Sequence, residues 1–145
     1  FNSIQQFETA GIKNLRKAED EFIRTRGMAN FINAIKEVVL HLGLDVIAET
    51  LENYDAAIRK SPKRSEKWSV VRKDPKQLVT SLGTVQYRKT LFINKTTKER
   101  SYLLDRELGL EKHQRITEDA EAQLLTEAVQ TTYRKGGEAV PPLQH

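Results

Sequence analysis

An α+β fold follows from three features of this 145-residue sequence. Apolar stripes at helical spacing run through residues 1–62. Apolar and polar residues alternate through 63–104, as in a half-buried sheet, and helical patterning returns over 105–145. The expected architecture is an N-terminal helical hairpin or bundle, a four-stranded antiparallel β-meander and C-terminal helices.

Each element has its own signal. Ile4, Phe7, Ile12, Leu15, Ala18 and Phe22 share one face of a first helix, which Arg26-Gly27 ends. Phe31, Ile32, Ile35, Val38, Val39 and Leu42 form a second stripe, with Gly43 placed to break or bend it. A third stripe, Ile47, Leu51, Tyr54 and Ile58, stops at Ser61-Pro62, because a residue before proline is pushed out of the α region. These stripes serve equally as an intramolecular core or as seams between two copies of the chain. Trp68, Val70 and Val71 read as a short strand, and Lys73-Asp74-Pro75-Lys76 as a turn. Leu78–Leu82 reads as a second strand turning at Gly83 into a long third one. There Val85, Tyr87, Lys89, Leu91 and Ile93 alternate with Gln86, Arg88, Thr90 and Phe92. Asn94–Lys98 is a second hairpin loop, and Arg100–Leu104 a fourth strand. Leu108-Gly109-Leu110 is a short apolar anchor. Thr117 suits an N-cap, followed by Glu118 and Asp119 where negative charge favours a helix start. Gly136-Gly137 permits a turn, and Pro141-Pro142 ends regular structure.

Composition excludes several function classes. At 38% hydrophobic and 30% charged residues the chain is neither membranous nor broadly disordered. No apolar run approaches the roughly 20 residues of a membrane helix. The absence of cysteine removes disulfides and thiolate zinc sites and suits a reducing cytoplasm. His41, His113 and His145 stand in no metal-ligand spacing, and there is no phosphate loop, dinucleotide fingerprint or nucleophile elbow. The carboxylates Asp105/Glu107 and Glu118/Asp119/Glu121 fit surfaces and a helix's first turn better than a catalytic pair, which needs a shared pocket. No enzyme site and no cofactor are expected in this chain.

Charge is the informative feature. Residues 59–100 carry thirteen bases against three acids, a net charge of +10, within a chain of net +4. Charge segregated this strongly faces a polyanion. Lysines on outer strands also guard sheet edges, but that accounts for only a few of them. The residues expected on nucleic acid are Arg64, Lys67, Arg72, Lys73, Lys76, Arg88, Lys89, Lys95, Lys98 and Arg100, joined by Arg134 and Lys135. Arg88 leads, projecting from the middle of the longest strand. Trp68, Tyr87, Phe92 and Tyr102 are interleaved with them and would either pack the apolar face or meet bases.

Three runs also carry a family resemblance: Lys76–Lys89 (KQLVTSLGTVQYRK), Tyr102–Leu110 (YLLDRELGL) and Thr132–Glu138 (TYRKGGE). Together they resemble the N-terminal region of a family of bacterial insertion-sequence transposases, long described as uncharacterised and similar to Mutator-like transposases. The shared hairpin, a threonine, two residues, then Gly-x-Val, is Thr80–Val85 here. The resemblance implies a cut-and-paste DNA recombinase whose three carboxylates hold two divalent metals on an RNase-H-like core. That core would lie C-terminal to this chain, and no residue here matches its carboxylates. It further implies a helix-turn-helix beginning at Thr117–Val140, with one helix at Glu118–Thr132 and another near Tyr133-Arg134. The start at Phe1 and the stop after Pro141-Pro142 then suggest an excised segment or a remnant of a disrupted element. The implied partner is double-stranded DNA at terminal inverted repeats, with homo-oligomerisation through the N-terminal helices and a cytoplasmic, nucleoid-associated location. Two other classes fit the residues: a dimerisation or scaffold module with a merely solvated basic face, and an independent RNA- or single-strand-binding protein.

Overall fold

The computed structural model describes residues 2–110, 117 and 120–122. A short helix α1 (Asn2–Gln6) passes through a π-helical turn (Phe7–Gly11) into α2 (Ile12–Thr25). Leu15, Ala18 and Phe22 recur at i, i+3 and i+7 on α2, so they fall on one face. Ala18 is buried there, and the ring of Phe22 stacks on Phe31 at 4.8 Å. Arg26 ends α2 in the left-handed conformation, its N–H donating to Phe22 O at 2.7 Å. The chain then reverses into α3 (Met28–Lys60), an unbroken helix of 33 residues. The backbone N–H groups of Asn2 and Ser3 donate to the Glu49 carboxylate at 2.7 and 2.9 Å, fastening the start of α1 to α3.

Gly43 therefore does not break the helix between the second stripe and the third. A Cβ at this position would sit 3.1 Å from Leu82 Cδ1, so the missing side chain lets the tip of a β-hairpin rest on α3. The helix ends where the proline argument places it. Ser61 is extended, and Pro62 opens a single further turn and a half, α4 (Pro62–Lys67).

The sheet departs from expectation. It has three strands in the order β1 (Trp68–Thr80), β2 (Gly83–Asn94), β3 (Arg100–Ser101), antiparallel throughout. The expected turn at Lys73–Lys76 does not form: Pro75 lies within β1, opposite Arg88. β1 is an outer strand, so an imino acid there costs no ladder bond on its free side. The register slips at Val71 instead, where a bulge separates Val70↔Phe92 from Arg72↔Leu91. The expected fourth strand shrinks to the two residues of β3, after which Leu103–Leu108 forms helix α5. The C-terminal helices expected beyond Thr117, with Glu118–Thr132 and Tyr133-Arg134, fall largely outside the described residues, as do His113 and His145. Within them, Glu121 N–H donates to Thr117 O at 2.9 Å, and the N–H and hydroxyl of Thr117 both donate to Val79 O.

Two side chains shape the hairpin turns. The Thr80 hydroxyl donates to Gly83 O at 2.8 Å and accepts Leu82 N–H at 3.2 Å, while Gly83 takes φ +134, which an L side chain resists. That is the chemistry of the Thr-x-x-Gly spacing. In the second loop Asn94 Oδ1 accepts the N–H groups of Thr96 and Thr97 at 2.9 and 3.0 Å.

The core lies between one face of the hairpin and the second half of α3. Leu78, Val85, Tyr87 and Leu104 are buried against Leu44, Ile47, Ala48, Leu51 and Ile58. Asp55 sits on the same helical stripe, 1% exposed. Its carboxylate accepts Thr90 N–H at 3.0 Å and the Thr90 hydroxyl at 2.6 Å, with Arg59 Nε at 3.6 Å. Tyr54, expected on the stripe, is pushed to its exposed margin.

Removing this carboxylate strands two buried donors and a guanidinium. Asp55→Ala is expected to lower unfolding stability by about 3 kcal/mol. Urea denaturation with an unchanged m-value checks it; a loss below about 1 kcal/mol would show the clamp to be dispensable.

Candidate nucleic-acid interface

Residues opposite one another in a ladder share a sheet face, so the register sorts the basic segment into two sides. The side turned to α3 holds Asp74, Lys76 and Leu78 on β1 and Val85, Tyr87, Lys89 and Leu91 on β2. The other side holds Lys73, Pro75, Gln77 and Val79 on β1 and Thr84, Gln86, Arg88 and Thr90 on β2; six of these are exposed, Val79 is half-buried, and Thr90 is buried with its hydroxyl on Asp55.

Lys89 lies on the inner side and is 7% exposed, its ammonium donating to Asp105 Oδ2 at 2.6 Å. It stands 4.3 Å from the centre of the Tyr102 ring, with Lys76 Nζ at 4.9 Å from the same ring. The Tyr102 hydroxyl donates to Asp74 at 2.7 Å, and Arg72 Nε donates to the other Asp74 oxygen at 2.8 Å. The hydrogen bond from Tyr102, and then Arg72, holds the Asp74 carboxyl below the usual carboxylate range. Burial, with the nearby Asp105 and Asp55 carboxylates, pushes the Tyr87 phenol up to about 12. Burial and the bond to Asp74 push Tyr102 up to about 12 as well. This is a structural network joining α5 to the hairpin, and Lys89 is withdrawn from the expected contact set.

The other expected cations divide by partner. Arg64 is half-buried: its guanidinium donates to the carbonyls of Trp68 and Arg59 and lies over the Phe92 ring. Lys95 Nζ donates to Ser65 O at 2.5 Å, tying the second loop to α4. Arg72 is held by Asp74, and Lys76 by Tyr102. Lys67, Lys73, Arg88, Lys98 and Arg100 are exposed and enter no ion pair among the described residues. Arg134 and Lys135 lie outside the described residues. Counting charge passes over Gln77 and Gln86, which face each other on the open side; the alternation through Gln86 and Arg88 is the signal that marks them. Trp68 carries Arg106 over its ring at 5.4 Å, and Phe92 is fully buried, so both aromatics are engaged internally.

Residues 25–142 match the model of an uncharacterised protein family, UPF0236. Among the similar relatives, all in Caldanaerobacter subterraneus subsp. tengcongensis, one UPF0236 protein has a name joining eleven locus labels, from TTE0033 to TTE2212. It is 32% identical over 124 residues, covering 86% of this chain and 27% of the relative. UPF0236 protein TTE2489 is 31% identical over 115 residues, covering 79% of this chain and 25% of the relative. A third, whose name joins four labels beginning with TTE0610, has the same identity and coverage. The chain thus spans about a quarter of the length of the curated relatives it matches. No solved structure matches it. No described helix is long and apolar enough to cross a membrane.

Two outcomes test the inner network. Lys89→Ala leaves Asp105 buried without its cation and is expected to cost about 3 kcal/mol in denaturant unfolding. Because folding raises the Tyr87 and Tyr102 pKa values, their contribution to stability is whole below the ordinary tyrosine pKa of 10.0 and is lost as pH rises toward about 12. Phenolate absorbance of the native chain should therefore lag that of the unfolded chain over this window, and coincident curves would contradict the burial.

Proposed function

Because the chain belongs to the UPF0236 family, in which one name covers eleven loci of a single bacterium, we propose that it is the DNA-binding and assembly part of an insertion-sequence transposase. A coding sequence repeated this often is what an element that copies or moves itself leaves behind. The observation that carries the DNA-binding reading is the open face of the β1–β2 hairpin. Lys73 and Arg88 stand on it exposed, none of its exposed strand residues is acidic, and Lys67, Lys98 and Arg100 flank its base beside Glu66 and Glu99. Five exposed cations with no ion pair among the described residues, running from the middle of the hairpin to its base, suit a phosphate backbone. Double-stranded DNA at the element's terminal repeats is the proposed partner, in a nucleoid-associated, cytoplasmic setting. The transposition chemistry, with its divalent metals, belongs to the remainder of the longer protein. Among the described residues no three acidic or imidazole side chains converge to hold a metal, and no chemical step is assigned to them.

A second reading, a module for joining copies of the chain, is favoured by one feature. Met28, Ile32 and Val39 share a stripe of α3 and are 54%, 56% and 52% exposed. It complements DNA binding in a recombinase that must hold two DNA ends.

Fluorescence anisotropy of the chain with a short mixed-sequence duplex, across a salt series, tests the proposal. A log–log slope of about −4 to −7 is expected, at roughly −0.9 per neutralised phosphate. Arg88→Ala with Arg100→Ala should make it shallower by about 2. An unchanged slope would remove those arginines from the interface. Absence of binding at low salt would leave the α3 stripe, and self-association, as the better account.

A further inference from the structure

We infer that the open face of the β1–β2 hairpin reads bases in the major groove of duplex DNA, with Gln77, Gln86 and Arg88 on base edges. This rests on the DNA-binding reading above and gives it a groove and a mode of recognition.

The sheet has the right width at this place. Among the described residues β3 pairs only with Phe92 and Ile93, so over residues 73–77 and 84–88 the described sheet is a ribbon of two strands. Two strands lie roughly 4.8 Å apart, and the major groove, about 12 Å wide, admits such a ribbon while the minor groove, about 6 Å wide, does not. From Thr84 to Arg88 the face extends roughly 13 Å at about 3.3 Å per residue, or about four base-pair steps. Pro75, on the outer strand, offers no N–H for a further strand and so keeps the ribbon narrow.

The chemistry of the face separates base reading from simple charge attraction. Gln77 and Gln86 are directly opposed and exposed; Arg88 is the diagonal neighbour of Gln77 across the strands, and Lys73 that of Arg88. A phosphate only accepts hydrogen bonds, so half of each amide's capacity is surplus to it. Adenine's groove edge presents one donor and one acceptor, which a glutamine amide matches. The N7 and O6 of guanine match an arginine fork in the same way. Arg88 and Lys73 stand on the hairpin-base side of an uncharged donor–acceptor pair, an arrangement in which charge anchors the ribbon and amides choose the sequence.

The ribbon is also stiff. Its inner face is packed on α3 through Leu78, Val85 and Tyr87, and its tip is closed by Thr80 and Gly83. Reading a base edge demands this, since a floppy hairpin would lose entropy on entering the groove.

The test uses the chain with a mixed-sequence DNA duplex, two groove-specific competitors and one double variant, Gln77→Thr with Gln86→Thr, which keeps strand-forming residues at exposed positions. Methyl green, a major-groove ligand, should displace the chain, and netropsin, a minor-groove ligand, should not. Selection from a randomised duplex pool should yield a preference in the wild type that the variant loses at about two positions. Affinity for the selected duplex should then fall about tenfold or more, with the salt slope unchanged. Displacement by netropsin alone, or identical selected sequences for both proteins, would overturn base reading in the major groove while leaving DNA binding in place. A wild type that binds no duplex at low salt, or binds only single strands, would overturn the DNA-binding reading and this inference with it.

Discussion

The carboxylate of Asp55 is the contact on which the arrangement of helix and sheet depends. β2 has β1 on one side along its whole length, but β3 on the other only at Phe92 and Ile93. Where β3 stops, the Thr90 N–H would be left without an acceptor in a dry interior, at a cost of about 1–3 kcal/mol. Asp55 supplies that acceptor and takes the Thr90 hydroxyl as well. A side chain of α3 thus finishes the edge of β2, and helix and strand can meet in only one register. Leu51 and Ile58 flank Asp55 at i−4 and i+3, so the apolar contacts and the polar clamp reinforce the same placement.

A second buried carboxylate, Asp105, does for α5 what Asp55 does for α3. Its partner Lys89 points inward from β2, and Asp74 joins through Tyr102. Asp74 and Asp105 lie on the covered side of the hairpin, while Asp55 meets Thr90 at the edge of β2. The exposed strand residues of the open side include Lys73 and Arg88 and no acid. Withdrawing Lys89 and Asp74 together leaves the segment's net charge unchanged, so the count of charge alone does not reveal which groups meet solvent. Along the hairpin the fold itself divides the charges, drawing Asp74 and Lys89 inward and leaving Lys73, Arg88 and the two amides outside.

Local chemistry was legible where a side chain acts on its own neighbours in sequence. Thr80 and Gly83 shape the first turn, Asn94 the second loop, Arg26-Gly27 and Ser61-Pro62 the helix ends, and each is where the residue types place it. Elements decided by distant neighbours were not legible. Pro75 carries turn chemistry, yet an outer strand tolerates it and the register with β2 overrides it. Gly43 reads as a helix breaker until Leu82 arrives above it. Lys89 alternates with Val85, Tyr87 and Leu91, which marks it as inward-facing, but its partner Asp105 lies sixteen residues away and its charge argues for solvent. Asp55 was concealed in the same manner, as one acid in an apolar stripe.

The two ends of α3 carry different duties. At about 1.5 Å per residue a helix of 33 residues is roughly 50 Å long. The hairpin packs against Leu44 to Ile58, so its core uses the second half. The first half is met by α2 through the Phe22–Phe31 stack, and that leaves Met28, Ile32 and Val39 on a separate, uncovered stripe. If that stripe joins copies of the chain, the long helix becomes a spacer between the seam and the ribbon. Two ribbons would then be held at a separation fixed by helix length, as recognition of paired DNA ends requires. The unbroken passage through Gly43 acquires a reason on this view: a kink there would uncouple the distance between ribbons from the geometry of the seam.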